Sequence, residues 1–220
     1  MSLWAIVPVK PLKNAKSRLS AVLSPEQRYE LAGAMFRHVL SVLGAVPEVS
    51  GALVISRDTK ALAIAREMGA KTIQESAISD LNPALMRATM ILKSWRVDAV
   101  LILPADLPFV HADDIQALIE LGRNRSIVIA TDHNGDGTNA LLARPPGLIQ
   151  FDYGPGSYQR HIASAQGAGL AVMTYHSDRL ASDIDVPADL ERYRRMRSKG
   201  AFTHLPELSF ACSGGLEALD

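Results

Sequence analysis

The sequence predicts a three-layer α/β fold with a mixed, mostly parallel sheet. Three observations lead there. Short apolar runs alternate with segments of helical period along the first 198 residues. One run, Ala99 to Leu103, is apolar throughout, as expected of a central strand covered on both faces. Of the 220 residues, 48% are hydrophobic, which is enough for a sizeable core.

Leu3 to Val9 reads as a buried strand. Ser24-Pro25-Glu26-Gln27 opens a helix, with Ser24 able to cap, Pro25 suited to the first helical position and Gln27 able to complete a capping box. Leu31, Met35, Val39 and Val42 recur along it, and Gly44 and Pro47 mark its end. Ala52 to Ser56 is a second strand, Asp58 to Met68 a helix stopped by Gly69, and Lys71 to Gln74 a short strand. Asn82-Pro83 begins a helix reaching Trp95. The central strand follows, then a helix over Ile115 to Leu121. Strands over Ser126 to Ala130 and Asn139 to Ala143 flank a polar, Gly-containing loop. A helix over Tyr158 to Gln166, a strand over Leu170 to Thr174 and a helix over Pro187 to Arg197 complete the pattern. The expected organisation is a single domain over residues 1–198 and a C-terminal tail over 199–220, where periodicity stops and Ser213-Gly214-Gly215 suggests loose attachment.

Charge narrows the function classes. Lys plus Arg and Asp plus Glu both number 23, which argues against a broad nucleic-acid or anionic-membrane surface and leaves room for a local basic pocket. Cys212 is the only cysteine, so no internal disulfide can form. There is neither a basic, apolar leader pattern nor an uninterrupted apolar stretch of spanning length. The expectation is a cytoplasmic protein, with homodimerisation left open.

In open α/β sheets ligands bind at the carboxyl ends of the strands, and the unusual residues fall there. After the first strand, Lys10, Lys13, Lys16 and Arg18 place four cations in nine residues. Clustered cations suit a triphosphate, whose charge is dense and strongly hydrated. The loop is neither a phosphate-binding G-x-x-x-x-G-K-[ST] run nor a dinucleotide-type G-x-G-x-x-G. After the central strand, Pro104-Ala105-Asp106-Leu107-Pro108 offers one carboxylate of the kind Mg²⁺ accepts beside waters and phosphate oxygens. Asp183 and Asp185, two apart, share a face of an extended segment, whereas Asp189 reads as structural. Asp136-Gly137-Thr138-Asn139 and Tyr153-Gly154-Pro155-Gly156-Ser157 combine backbone-exposing glycines with a helix start. The six histidines form no metal-type pair, and no Ser/His/Asp grouping supports hydrolase chemistry.

Taken in order, Pro8-Val9-Lys10, Ala15-Lys16-Ser17-Arg18-Leu19, Asp80-Leu81-Asn82, Pro104-Ala105-Asp106-Leu107-Pro108, Gly137-Thr138-Asn139-Ala140-Leu141, Gly154-Pro155-Gly156-Ser157 and Asp183-Ile184-Asp185 resemble the guanylyltransferases of coenzyme F-420 biosynthesis. The resemblance runs from about residue 4 to residue 195. Enzymes that load sugars or the molybdenum cofactor open instead with a Gly-Gly-x-Ser-x-Arg type loop.

This resemblance implies a Rossmann-like nucleotide-diphospho-sugar-transferase (GT-A-like) fold, GTP as donor, Mg²⁺ as cofactor, and phosphoenolpyruvate or 2-phospho-L-lactate as acceptor. Overall likeness leans to phosphoenolpyruvate. The site so expected has Lys16, Arg18 and Asp106 as catalytic residues and Lys10, Lys16, Ser17, Arg18 and Asn82 on the nucleotide. Thr138, Gly154 and Ser157 would hold the acid, and Asp106, Asp183 and Asp185 the metal. A related sugar- or alcohol-phosphate nucleotidyltransferase is the alternative enzyme. A catalytically silent nucleotide-binding subunit is the alternative of another class.

Overall fold

The computed structural model describes residues 2–76 and 80–198, so the expected tail over 199–220 lies outside the described residues. The elements are β1 (Leu3–Val9), two 3-10 turns (Leu12–Asn14 and Ser17–Leu19), α1 (Pro25–Ala45), β2 (Val49–Ser56), α2 (Thr59–Glu67), β3 (Lys71–Gln74), α3 (Leu81–Ser94), β4 (Ala99–Ile102), α4 (Ala112–Leu121), β5 (Ser126–Thr131), β6 (Thr138–Arg144), α5 (Ser157–Gly167), β7 (Ala171–Thr174) and α6 (Pro187–Ser198).

Every expected strand and helix is present, and the ends shift for identifiable reasons. The capping box of α1 forms as the sequence indicates: Gln27 N donates to Ser24 Oγ at 3.2 Å, and Ser24 N donates to Gln27 Oε1 at 2.9 Å. Helix α4 begins at Ala112, three residues before the expected start. Its cap is His111, whose Nδ1 accepts from Asp113 N at 3.4 Å while Asp114 Oδ2 accepts from His111 N at 2.9 Å. Histidine is not among the residues whose chemistry ordinarily signals a helix start.

The sheet is mixed, in the order β3-β2-β1-β4-β6-β5-β7. β6 runs antiparallel to both neighbours, and all other pairs are parallel. Because β6 is reversed, its first residues, Thr138 and Asn139, lie at the edge where β1, β4 and β5 end. The chain order switches direction about β1 and β4, so the loops leaving these strands open a crevice there.

Side chains alternate strictly across the sheet. Leu3, Ala5, Val7, Leu101 and Leu103 pack with α1, α2 and α4 on one face. Ile6, Val100 and Ile102 pack with residues of α3 and α5 on the other. A smaller third cluster joins Leu19, Leu23, Leu31, Met35, Phe109, Ile184, Leu190 and Tyr193. It ties the loop after β1 to the segment after β4 and to the start of α6, the three pieces of chain that carry the expected cations and carboxylates. Among the described residues no helix is long and apolar enough to cross a membrane.

Candidate active site

The loop leaving β1 turns sharply. Two 3-10 turns are joined through Lys16, which adopts φ 55° and ψ 37°, in the left-handed region. That conformation costs a non-glycine residue about 1–2 kcal/mol. It is held by the buried Leu12, Ala15 and Leu19 on either side. The turn sends the Lys16 side chain inward, where it is 6% exposed. Its Nζ donates to Asp106 Oδ2 at 2.7 Å and to Asp185 Oδ1 at 2.8 Å.

The segment carrying Asp183 and Asp185 lies outside any helix or strand, and the alternation of burial expected of it holds. Ile184 is 1% exposed and locked into the third cluster, while both acids face the other way. Burying an Ile stabilises by about 1.5–3 kcal/mol, so this one side chain fixes the direction of two carboxylates. Asp189 is structural, as anticipated: its Oδ2 accepts from the backbone N of Asp185 and of Val186, each at 2.9 Å. Asn139 Nδ2 donates to Leu180 O at 2.8 Å and to Asp183 Oδ1 at 3.2 Å. Upstream, the fully buried Asp114 accepts from Ser177 Oγ at 2.7 Å and from Arg179 Nε at 2.7 Å, anchoring the chain that leads to the acids.

Lys16, Asp106, Asp183 and Asp185 line a cleft of about 450 Å³ that also includes Lys10, Arg57, Glu75, Asp80, Asn139 and Tyr153. Its electrostatics follow from the geometry. Burial works against the Lys16 ammonium, but Asp106 and Asp185 outweigh it and hold its pKa above the ordinary lysine value. Burial likewise opposes the Asp185 carboxylate, and Lys16, with Lys10 and Arg18, still draws its pKa below the usual aspartate value. Asp183 is pushed up to about 6, first by burial and then by the negative charge of Asp106. Three carboxylates around one ammonium leave an excess of negative charge. Among the described residues no three acidic, His or Cys side chains converge as a ready-made cage. The donor set fits a hard divalent cation that takes one or two carboxylates and completes its shell with waters and phosphate oxygens.

The sequence-expected residues divide into two groups. Lys10, Lys16, Asp106, Asp183 and Asp185 meet in the cleft. Ser17 and Arg18 lie on its exposed approach, with Arg18 close enough to act electrostatically on Asp185. Asn82 uses its carboxamide elsewhere: Tyr153 N donates to its Oδ1 at 2.7 Å, and its Nδ2 donates to Tyr153 O at 3.2 Å.

Thr138 and Ser157 do meet each other, at 3.2 Å between hydroxyl oxygens, but at 4% and 1% exposure they stand behind the cleft wall. The start of α5 is already capped from within. Gly156 N donates to Asp136 Oδ2 at 3.0 Å, Ser157 N to Gly154 O at 3.0 Å and Tyr158 N to Asp136 O at 3.0 Å. At Gly154 a Cβ would meet only an Arg160 guanidinium nitrogen at 3.6 Å; the restriction there is its φ of +134°, which L side chains rarely adopt.

Sequence reasoning missed His161, which has no exposed surface. Asp152 N donates to its Nε2 at 2.9 Å, which leaves Nδ1 as the protonated nitrogen, donating to Thr138 Oγ1 at 3.0 Å. Burial depresses the His161 pKa to about 4, Asp152 pulling it slightly back up and Arg160 adding to the fall. No sequence signal marks this: an isolated histidine at mid-helix acquires partners only through tertiary contact.

The family described as "Guanylyl transferase CofC like" matches residues 3–205. A phosphoenolpyruvate guanylyltransferase from Sphaerobacter thermophilus is 39% identical over 191 residues, covering 87% of this chain and 92% of its own. A 2-phospho-L-lactate guanylyltransferase from Methanothermobacter thermautotrophicus is 37% identical over 190 residues, covering 86% and 83%. Among solved structures, one from Desulfovibrio desulfuricans G20 assigned to the nucleotide-diphospho-sugar transferases superposes with a TM-score of 0.77 at 16% identity, over 96% of this chain and 94% of that one. A CMP:2-keto-3-deoxy-manno-octonic acid synthetase complexed with CTP gives a TM-score of 0.60 at 14% identity, over 91% and 100%. At these identities the two structures establish the fold, which is the nucleotidyltransferase architecture the sequence predicts.

Proposed function

The chain belongs to the CofC-like guanylyl transferase family, and on that premise we propose that it transfers GMP from GTP to phosphoenolpyruvate or 2-phospho-L-lactate, releasing pyrophosphate, as a step toward coenzyme F-420. The observation that carries this reading is Lys16 Nζ held between Asp106 and Asp185 at the switch point of the sheet, with Asp183 beside them.

The reaction needs no protein nucleophile. An anionic phosphate oxygen of the acid attacks the α-phosphorus of GTP. A new P–O bond forms as the bond to the β-phosphate oxygen breaks, and pyrophosphate leaves with that electron pair. What remains for the protein is alignment of two anions and stabilisation of the leaving charge. Lys16, buried and fully cationic, provides a fixed positive centre; Lys10 and Arg18 add charge at the mouth, where a triphosphate enters. Asp106, Asp185 and Asp183 would hold Mg²⁺, which when bound screens phosphate charge and orients the phosphate oxygens. The acceptor belongs on the β4–β6 side of Asp106, away from the basic loop. Thr138, Gly154 and Ser157 serve it by building that wall, and Asn82 by anchoring Tyr153.

The test is a pyrophosphate-release assay crossing four nucleoside triphosphates with phosphoenolpyruvate, 2-phospho-L-lactate and 3-phosphoglycerate. Release with GTP and one or both of the first two acids is expected. Release that requires 3-phosphoglycerate or another nucleotide would overturn the reading.

A further inference from the structure

Tyr153 lines the cleft, yet its hydroxyl is buried and has no hydrogen-bond partner among the described residues. Buried polar groups are almost always paired, and each exception calls for a cause. This one is not a careless placement, because the residue is fixed from several directions. Asn82 takes both its N–H and its C=O. His161 holds the preceding amide, that of Asp152, and packs its ring edge-on against the Tyr153 ring at a 4.9 Å centroid distance. Phe151 flanks it at 6.3 Å. His161 is in turn held by Thr138, and Thr138 by Ser157. The buried network behind the cleft therefore fixes the backbone and ring of this cleft-lining residue and leaves its hydroxyl unsatisfied.

We propose that the Tyr153 hydroxyl is a substrate-recognition group that donates a hydrogen bond to the anionic acceptor acid. The proposal rests on the guanylyltransferase reading and names a contact for its second substrate. Topology assigns the contact to the acid. The cations for the triphosphate follow β1, and the cleft continues from there past the ends of β2 and β3 through Ile55, Arg57 and Glu75. Asn139 begins β6, on the far side of β4 and Asp106. Tyr153 lies on the connection from β6 to α5, its backbone tied to Asn82 of α3 and its ring packed on His161 of α5, the helix that packs on β5 and β7. In-line displacement puts donor and acceptor on opposite sides of the reacting phosphorus. If the triphosphate occupies the β1 side, the β6 side is the acceptor's. Burial raises the phenol pKa further above its ordinary value, so the group stays protonated and can only donate to an anion.

The test is Tyr153→Phe, which keeps the ring and its packing on His161 and removes only the hydroxyl. A hydrogen bond to a charged group lost this way raises KM for the acid about ten- to a hundredfold, with KM for GTP unchanged. Melting temperature should hold or rise, since no protein partner loses a bond; a purely structural hydroxyl would lower it. Direct calorimetric titration of both acids into wild type and Tyr153→Phe reads the same contact without turnover. Wild-type-like acid affinity in the variant, or a rise in KM for GTP instead, overturns the inference and leaves the function standing. Wild type that binds an acid more tightly than the variant but transfers no GMP sinks the function and leaves the contact. Wild type that binds neither acid overturns both.

Discussion

Lys16 Nζ stands 2.7 Å from Asp106 Oδ2, although the two residues are 90 positions apart. The ammonium is almost fully buried while the carboxylate is 34% exposed, so the pair forms a lid of protein on one side and an open face on the other. Asp185 completes the arrangement at 2.8 Å from the opposite end of the chain. A cation fixed between two acids at the mouth of a cleft can neutralise them while the site is empty and screen phosphate once it is filled.

Removing that cation should therefore expose the repulsion among the acids. Lys16→Met is expected to lower stability by only about 1–2 kcal/mol, because Asp106 and Asp185 are partly solvated and the penalty for a broken pair is reduced accordingly. Mg²⁺ should then raise the melting temperature of the variant more than that of wild type, since a divalent ion takes over the neutralisation. Calorimetry across a Mg²⁺ series checks this; equal increments would mean that the acids are not a cation site.

Asp106 holds no core, being a half-exposed residue just past β4. Asp106→Asn should cut turnover by about 10²- to 10³-fold, the scale for losing one preorganised electrostatic group, with a fall in melting temperature no larger than that of Lys16→Met, since Asp185 still pairs the buried ammonium. Near-normal rates at saturating Mg²⁺ would remove it from the catalytic machinery.

The exposed approach and the buried cation should be separable. Lys10→Ala and Arg18→Ala are expected to weaken GTP binding, measured calorimetrically, more than acid binding, and to steepen less with falling salt than wild type does. Unchanged GTP affinity in both would reduce the loop to a solvated turn.

Asn82 is cast as a positioning residue acting through Tyr153, not as a ligand of the nucleotide. Asn82→Ala should raise KM for the acid while KM for GTP and the ionic-strength dependence of GTP binding stay put. Thr138→Val, which deprives His161 and Ser157 of their shared acceptor, should do the same and also destabilise by about 1–3 kcal/mol. Steady-state kinetics with each substrate varied in turn distinguishes the outcomes; a selective loss of GTP affinity in Asn82→Ala would return that residue to the nucleotide.

His161 gives a pH signature. Its folded pKa of about 4 lies below the ordinary 6.5, so the unfolded chain binds the extra proton between these values. Stability from the neutral imidazole is complete above about pH 6.5 and is lost as pH falls toward 4, to the extent of roughly 2–3 kcal/mol. Denaturant unfolding at several pH values should show a shallower acid loss in His161→Gln than in wild type. Parallel profiles would contradict the buried, neutral assignment.

How far the sequence could be read depended on whether a residue's role is local. The apolar alternation of β1 and β4 and the capping box at Ser24 are local, and they fold as their spacing indicates. The placing of Asp183 and Asp185 together is local too, because the buried Ile184 between them leaves both acids to the cleft. Asn82, Thr138 and Ser157 stand out in the sequence, yet what each touches is set by the packing of α3, β6 and α5. Only the fold reveals that all three converge on the backbone and surroundings of Tyr153. His161 carries no local mark, and Asp114 shows locally only as the cap partner of His111; the wider role of each comes from complete burial and from partners as far as 23 and 65 residues away.

The central claim, that GMP is joined to a phosphorylated acid, is most directly tested by ³¹P NMR of the protein with GTP, Mg²⁺ and phosphoenolpyruvate or 2-phospho-L-lactate. The predicted result is loss of the acid's monoester signal, appearance of two mutually coupled resonances from a new P–O–P linkage, and one equivalent of pyrophosphate. GTP breakdown to GMP and pyrophosphate or to GDP and phosphate, with the monoester signal of both acids intact, would contradict it.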